Sequence, residues 1–200
     1  MQIISCLFSF INIKNITMKN VRYFICFIAF GIFLLSISSC DKIKKAIFNS
    51  FSTNGGSFDF SVDIITDTSM TANFEELTTH LNIDSVIKSH TGGAFGLDDI
   101  DKISLEFAEL HINNPDSANN ISNFDTASIV FNTNTSTDPV NIATGLIPDT
   151  YADSYQFDCS SINLKEYLRG TELAYIYAAK ARRATTKQLD CTLNFRFKIE

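Results

Sequence analysis

Beyond residue 57 apolar and polar side chains alternate with a period of two, the spacing of strands that bury one face. Phe58, Phe60, Val62 and Ile64 alternate with Asp59, Ser61 and Asp63, which predicts a first strand over 57–66. The pattern is clearest at the C-terminus, where Leu189, Cys191, Leu193, Phe195, Phe197 and Ile199 take every odd position and polar residues take the even ones. An amphipathic helix would need apolar residues three as well as four apart, and with apolar residues only at odd positions no two of them are three apart. Residues 171–181 (TELAYIYAAKA) are apolar on both parities, as expected of a strand covered on both faces. With Arg182 to Lys187 as the connection, the two segments predict a C-terminal hairpin.

Between these ends, Ile103, Leu105 and Phe107 alternate and the phase then slips to Leu110 and Ile112, which predicts a strand bulged at Ala108 and Glu109 and ended by Asn114 and Pro115. Further strands are predicted over 126–132, 139–144 and 153–159. Two short helices are predicted: 83–89 with Asp84 as N-cap, and 162–169 with Gly170 at its C-terminus. About seven strands without a βαβ rhythm predict a mainly β fold, an antiparallel β-sandwich, with an open β-barrel as the alternative.

The N-terminal region breaks this pattern. From Met18 the chain reads MKNVRYFICFIAFGIFLLSISSC, with cations at Lys19 and Arg22, an apolar run and then small residues, the order of a secretory signal. The apolar run of about 15 residues spans roughly 22 Å as a helix, short against a hydrocarbon core of about 30 Å. Residues 1–17 add nothing a signal requires, so Met18 is the expected start. Residues 41–56, rich in Ser, Asn, Gly and Lys, read as a flexible tether, with a short helix through Ile43, Ala46, Ile47 and Phe51 as the alternative.

Ile37, Ser38, Ser39 and Cys40 resemble the lipobox of bacterial lipoproteins: apolar, small, small, cysteine. The resemblance covers the 23 residues from Met18 to Cys40 and implies diacylglyceryl transfer to the Cys40 thiol, cleavage before it and acylation of the new amino group. It implies a membrane as partner, through the N-terminal lipid, and a cell-envelope location; the membrane and leaflet are left open, because Asp41 resembles the inner-membrane retention signal of enterobacterial lipoproteins while Lys42 interrupts the acidic run of surface-exported Bacteroidota ones. The expected organisation is a signal peptide over 1–39, the lipidated cysteine and tether over 40–56, and one sandwich domain over 57–200. The strand spacing is similar to that of small β-sandwich lipoproteins of Bacteroidota envelopes.

Charge narrows the partners. All 22 acidic residues follow Cys40, against 13 of the 16 basic ones, which disfavours nucleic acid. The chain has no tryptophan, which argues against a carbohydrate ligand, and Tyr151, Tyr155, Tyr167, Tyr175 and Tyr177 read as core more than as a platform. His80, His90 and His111 lack zinc spacing, no GxSxG elbow occurs, and the glycines after His90 lack the Gly-Lys-Ser/Thr of a phosphate loop, so no catalytic residue and no cofactor is indicated.

Three groups merit a place as candidate sites. Cys159 and Cys191 share the core parity of their strands, so they are a candidate disulfide closing a loop of about 31 residues and contributing roughly 3–4 kcal/mol; two free core thiols are the alternative. Asp98, Asp99 and Asp101 could offer oxygens to calcium or simply form a solvated turn. Lys180, Arg182, Arg183 and Lys187 make a candidate basic contact patch at the expected hairpin tip. The functional expectation is a noncatalytic binding or structural module of the envelope, with an envelope protein as candidate partner. An adhesin or pilus-type subunit and a hydrolase with a loop-built site are the alternatives.

Overall fold

A computed structural model describes residues 48–69, 71–134 and 136–200. The chain divides into two compact units, Met1–Phe48 and Asn49–Glu200, and the fold below belongs to the second. The signal segment and Cys40 lie outside the described residues.

In chain order the elements are β1 (Phe51–Val62), β2 (Thr71–His80), helix α1 (Ile83–His90), β3 (Ile103–Ile112), β4 (Phe124–Thr133), β5 (Ser136–Leu146), β6 (Ser154–Gln156), β7 (Asp158–Cys159), β8 (Glu172–Ala181) and β9 (Leu189–Ile199), with short 3-10 turns at Leu97–Asp99, Ile121–Asn123 and Tyr167–Arg169. They form two antiparallel sheets, one ordered β1-β9-β3-β6 and the other β2-β8-β4-β5-β7. Each sheet ends in edge strands, so the fold is a β-sandwich and not a barrel.

The core follows from the alternation. Every odd position of β9 from Leu189 to Ile199 is buried, and Leu173, Tyr175, Tyr177, Ala179 and Ala181 of β8 face it from the other sheet. Tyr175 stacks on Phe195 with ring centroids 4.3 Å apart and 15° between planes, and Phe131 of β4 lies 5.1 Å from Tyr175. Truncating such a ring to alanine costs about 3–5 kcal/mol. The Tyr175 hydroxyl donates to the Gly55 carbonyl at 3.2 Å, whereas the buried Tyr177 hydroxyl has no partner among the described residues.

Three expectations need correction, and β2 is a strand that the alternation does not predict. The Asn54-Gly55-Gly56 run, which reads as tether, is a bulge inside β1, so the first strand begins at Phe51 and not at 57. Gly56 has φ +135°, and a Cβ on Gly55 would come within 2.8 Å of the Phe197 ring, so both glycines serve close strand packing. β2 carries no clean alternation because its register slips between Asn73 and Glu76, which hides it from a period-two reading. The segment 153–159 is two strands: β6 pairs with β3 in one sheet and β7 with β5 in the other, the chain turning the sandwich corner at Phe157. Finally, β8 and β9 do not form a hairpin: β8 lies between β2 and β4, β9 lies between β1 and β3, and residues 182–188 arch from one sheet to the other.

Smaller shifts have local causes. The β3 bulge falls between Leu105 and Phe107, leaving Ala108 fully buried. Asn82, not Asp84, caps α1, its Oδ1 accepting from the Ser85 amide at 2.9 Å, while Asp84 pairs with Lys88 and accepts from the Leu97 amide. The second predicted helix reduces to the 3-10 turn Tyr167–Arg169, followed by Gly170.

Candidate functional site

The antiparallel registers put the loops into two groups. At one end, where β1 begins, Phe51 lies opposite Ile199 and Ile199 opposite Ile103; α1 and residues 160–171 belong there too, Leu81 donating to the Thr171 carbonyl. At the far end Val62 lies opposite Leu189, Phe124 opposite Ala181 and Thr71 opposite Lys180. There the segments 63–69, 113–123, 147–153 and 182–188 meet.

The far-end loops are joined by polar groups. Arg182 reaches across with Nη1 donating to the Ser122 carbonyl at 3.0 Å and Nη2 donating to the Ile147 carbonyl at 2.6 Å and to Asp125 at 3.1 Å. Arg183 donates through Nη2 to the Ser122 carbonyl and hydroxyl, both at 2.9 Å, and pairs with Asp149. Beneath them Asn119, Asn120, Ser122 and Asn123 are buried, a placement polar side chains accept only when hydrogen-bonded. Asn123 donates to the Ala118 and Ala184 carbonyls at 3.0 and 3.1 Å, and its Oδ1 accepts from the Asn120 amide at 2.9 Å. Asn120 Oδ1 accepts from the Ser122 amide and hydroxyl. Asn119 exchanges bonds with Thr186, and Thr185 does so with Ile65.

Asp116 opens this cluster with an Asx turn, accepting from the Ala118 and Asn119 amides at 2.9 Å each. Lys187, 2.8 Å away, with the Asn119 side chain and the Ala118 amide, holds its carboxyl well below the ordinary carboxylate range. Over this floor lies a cleft of about 450 Å³, with Asp149, Tyr151 and Arg183 among its lining residues. Among the described residues, three of the four most exposed large apolar side chains stand at the same end: Leu146 (79%), Tyr151 (62%) and Ile64 (53%).

The candidate residues read from the sequence fare differently. Arg182, Arg183 and Lys187 do come together here, but each faces a carboxylate, Asp125, Asp149 and Asp116 respectively, so the expected basic patch is a neutral network; Lys180 stands apart, exposed on β8. Asp98, Asp99 and Asp101 do not converge: Asp98 pairs with Arg169 at 2.8 Å, Asp99 accepts from the Gly96 amide, and the Asp101 carbonyl accepts from Asn163. Among the described residues no group of three or more acidic, histidine or cysteine side chains is placed to hold a metal ion.

Cys159 and Cys191 are both free thiols. Core parity alone cannot pair them, because Cys191 lies opposite Phe60 and Ile112 whereas Cys159 lies beside Ala143 and Ala108; Ala108 and Ile112 are four residues apart on one strand, about 13 Å. Burial pushes the Cys191 thiol up to about 12 and raises that of Cys159, so neither supplies thiolate at neutral pH. Tyr175 and Tyr177 are core residues, His90 stacks on Phe51 at 3.8 Å, and His111 sits on β3 opposite Thr192. Asn119 to Asn123, Asp149 and Tyr151 carry no periodic signal. The spacing of Asp116, Ala118 and Asn119 offers an Asx-turn signature and nothing more.

No family model and no curated protein matches the chain. A solved structure that does resemble it is the subviral particle of infectious bursal disease virus VP2, at 9% identity and a TM-score of 0.33 over 76% of this chain and 32% of that one. The chain spans about a third of the length of that protein, and a likeness this distant carries no argument.

Proposed function

We propose that the protein is a noncatalytic lipoprotein of the cell envelope, a β-sandwich binding module held to a membrane through an acylated Cys40. The observation that carries this reading is the segment from Met18 to Cys40: a basic start, an apolar run too short to span, two serines and a cysteine. Each buried methylene of a lipid chain contributes about 0.8 kcal/mol, and stable anchoring takes two or more chains, which the lipobox chemistry supplies.

One structural feature supports the reading. The chain enters the sandwich at the end opposite the four-loop cluster, and the 12 residues of β1, about 40 Å of strand, lie between them. An attachment at one end and a fixed polar surface at the other suit a module that meets its ligand away from the bilayer.

The test is the intact mass of full-length protein recovered from the membrane fraction of an expressing bacterium. The expected mass is that of residues 40–200 plus diacylglyceryl and acyl groups, and Cys40→Ala should abolish the lipid adduct. A wild-type mass without lipid would overturn the proposal.

A further inference from the structure

We propose that the far-end cleft binds a neutral, hydroxyl-rich ligand, a saccharide chain, with Asp149, Tyr151 and Arg183 as its contacts. This rests on the reading of that end as the one presented to a ligand.

The floor of the cleft is fixed. Asn120, Ser122 and Asn123 satisfy one another and the neighbouring backbone, so they hold their places before any ligand arrives. Preorganisation of this kind lowers the ordering cost of binding. The rim, by contrast, keeps unused valence. Arg183 spends Nη2 on Ser122 and Asp149, while its Nε and Nη1 hydrogens have no acceptor among the described residues. Asp149 engages both arginines through Oδ1, and its Oδ2 is uncommitted among those residues. Free N–H donors beside a free carboxylate oxygen match adjacent hydroxyls, each of which both donates and accepts.

Charge and shape choose among ligand classes. Arg182 and Arg183 are balanced by Asp125 and Asp149, so an anion would meet a carboxylate at the rim, and a cation would meet two guanidinium groups. A neutral polyol meets neither penalty. Tyr151 lines the same cleft and is 62% exposed, an aromatic ring left in water where Tyr175 and Tyr177 are buried. Its apolar face can cover the C–H face of a sugar ring while its hydroxyl stays hydrated. The absence of tryptophan therefore does not remove the stacking partner; tyrosine supplies it. A volume of about 450 Å³ falls within the range of small-ligand sites.

The experiment titrates full-length protein, in a polyoxyethylene detergent that carries no sugar, with neutral oligosaccharides of hexose and of N-acetylhexosamine units and with a sulfated oligosaccharide, read by saturation-transfer NMR and thermophoresis. At least one neutral probe should bind, and Tyr151→Ala and Asp149→Asn should each weaken it by about tenfold or more, the change that about 1.4 kcal/mol produces. The melting midpoint of Tyr151→Ala should match the parent. No binding of any neutral probe at its solubility limit, binding of the sulfated probe alone, or neutral binding that either variant leaves within about twofold would overturn the proposal. An unlipidated chain that still binds a neutral sugar defeats only the anchor reading; a lipidated chain that binds none defeats only this one.

Discussion

The two ends of the sandwich close the same core by opposite means. Where β1 begins, Ile83 and Ile87 of α1 are buried with Leu97, Ile100, Leu164 and Leu168, an apolar plug whose stability comes from area removed from water. At the far end the seal is Asn119, Asn120, Ser122 and Asn123 with the arm of Arg182, a seal made of directed bonds. An apolar plug tolerates side chains of similar volume. A polar seal works only when every partner is present, because a buried donor or acceptor left alone costs about 1–3 kcal/mol. The end that must hold a shape in contact with water is the one built from hydrogen bonds.

This contrast can be broken experimentally. Asn123→Leu keeps the number and branching of the side-chain heavy atoms but strands the Ala118 and Ala184 carbonyls and the Asn120 amide, and should cost about 3 kcal/mol in chemical denaturation. A loss under about 1 kcal/mol would mean that the polar seal does not hold the far end. The matching change at the plug, Ile87→Val, should cost only about 1 kcal/mol in the same assay, and a cost equal to that of Asn123→Leu would erase the distinction.

Acid should act on the far end through Asp116. Its folded-state carboxyl sits below its unfolded value, so its contribution is complete above about pH 4 and is lost as pH falls through the folded pKa. The stability gap between wild type and Asp116→Asn should therefore be constant near neutrality and narrow on acidification. A gap that widens below about pH 4 would show that the Lys187 pairing does not stabilise the fold. The smallest expected effect is none at all: with Cys159 and Cys191 free, reductant should leave the melting midpoint unchanged, whereas a drop would reveal a cross-link between the strands that carry them.

What the sequence disclosed follows the same division. β9 was legible to the residue, since a strand with one face in the core writes its burial into alternate positions. β3 and β4 were legible within a residue or two, and the sandwich class with them. Pairing was not: nothing in the alternation of Leu189 to Ile199 says that its neighbours are β1 and β3 and not the strand just before it. Glycine misled at Asn54-Gly55-Gly56, where the same residues that loosen a linker make room for Phe197. The far-end seal was invisible because its bonds join residues as distant as Asn119 and Thr186, and polar runs carry no period that would place one against the other. Lys187, Arg182 and Arg183 stand out in the sequence for their charge, but the carboxylates that cancel it come from three separate segments.

The strand order also sets when the fold can exist. β9 is the last strand along the chain, yet it is the middle partner of both β1 and β3, so the first of them waits more than a hundred residues for its neighbour. A chain made or threaded N-terminus first therefore holds an unfinished sheet until Leu189 to Ile199 has emerged, with the loop-closure cost deferred to that moment. Such a molecule keeps that sheet open until its central strand arrives, and a truncation that removes residues 189–200 leaves β1 and β3 without the strand that joins them.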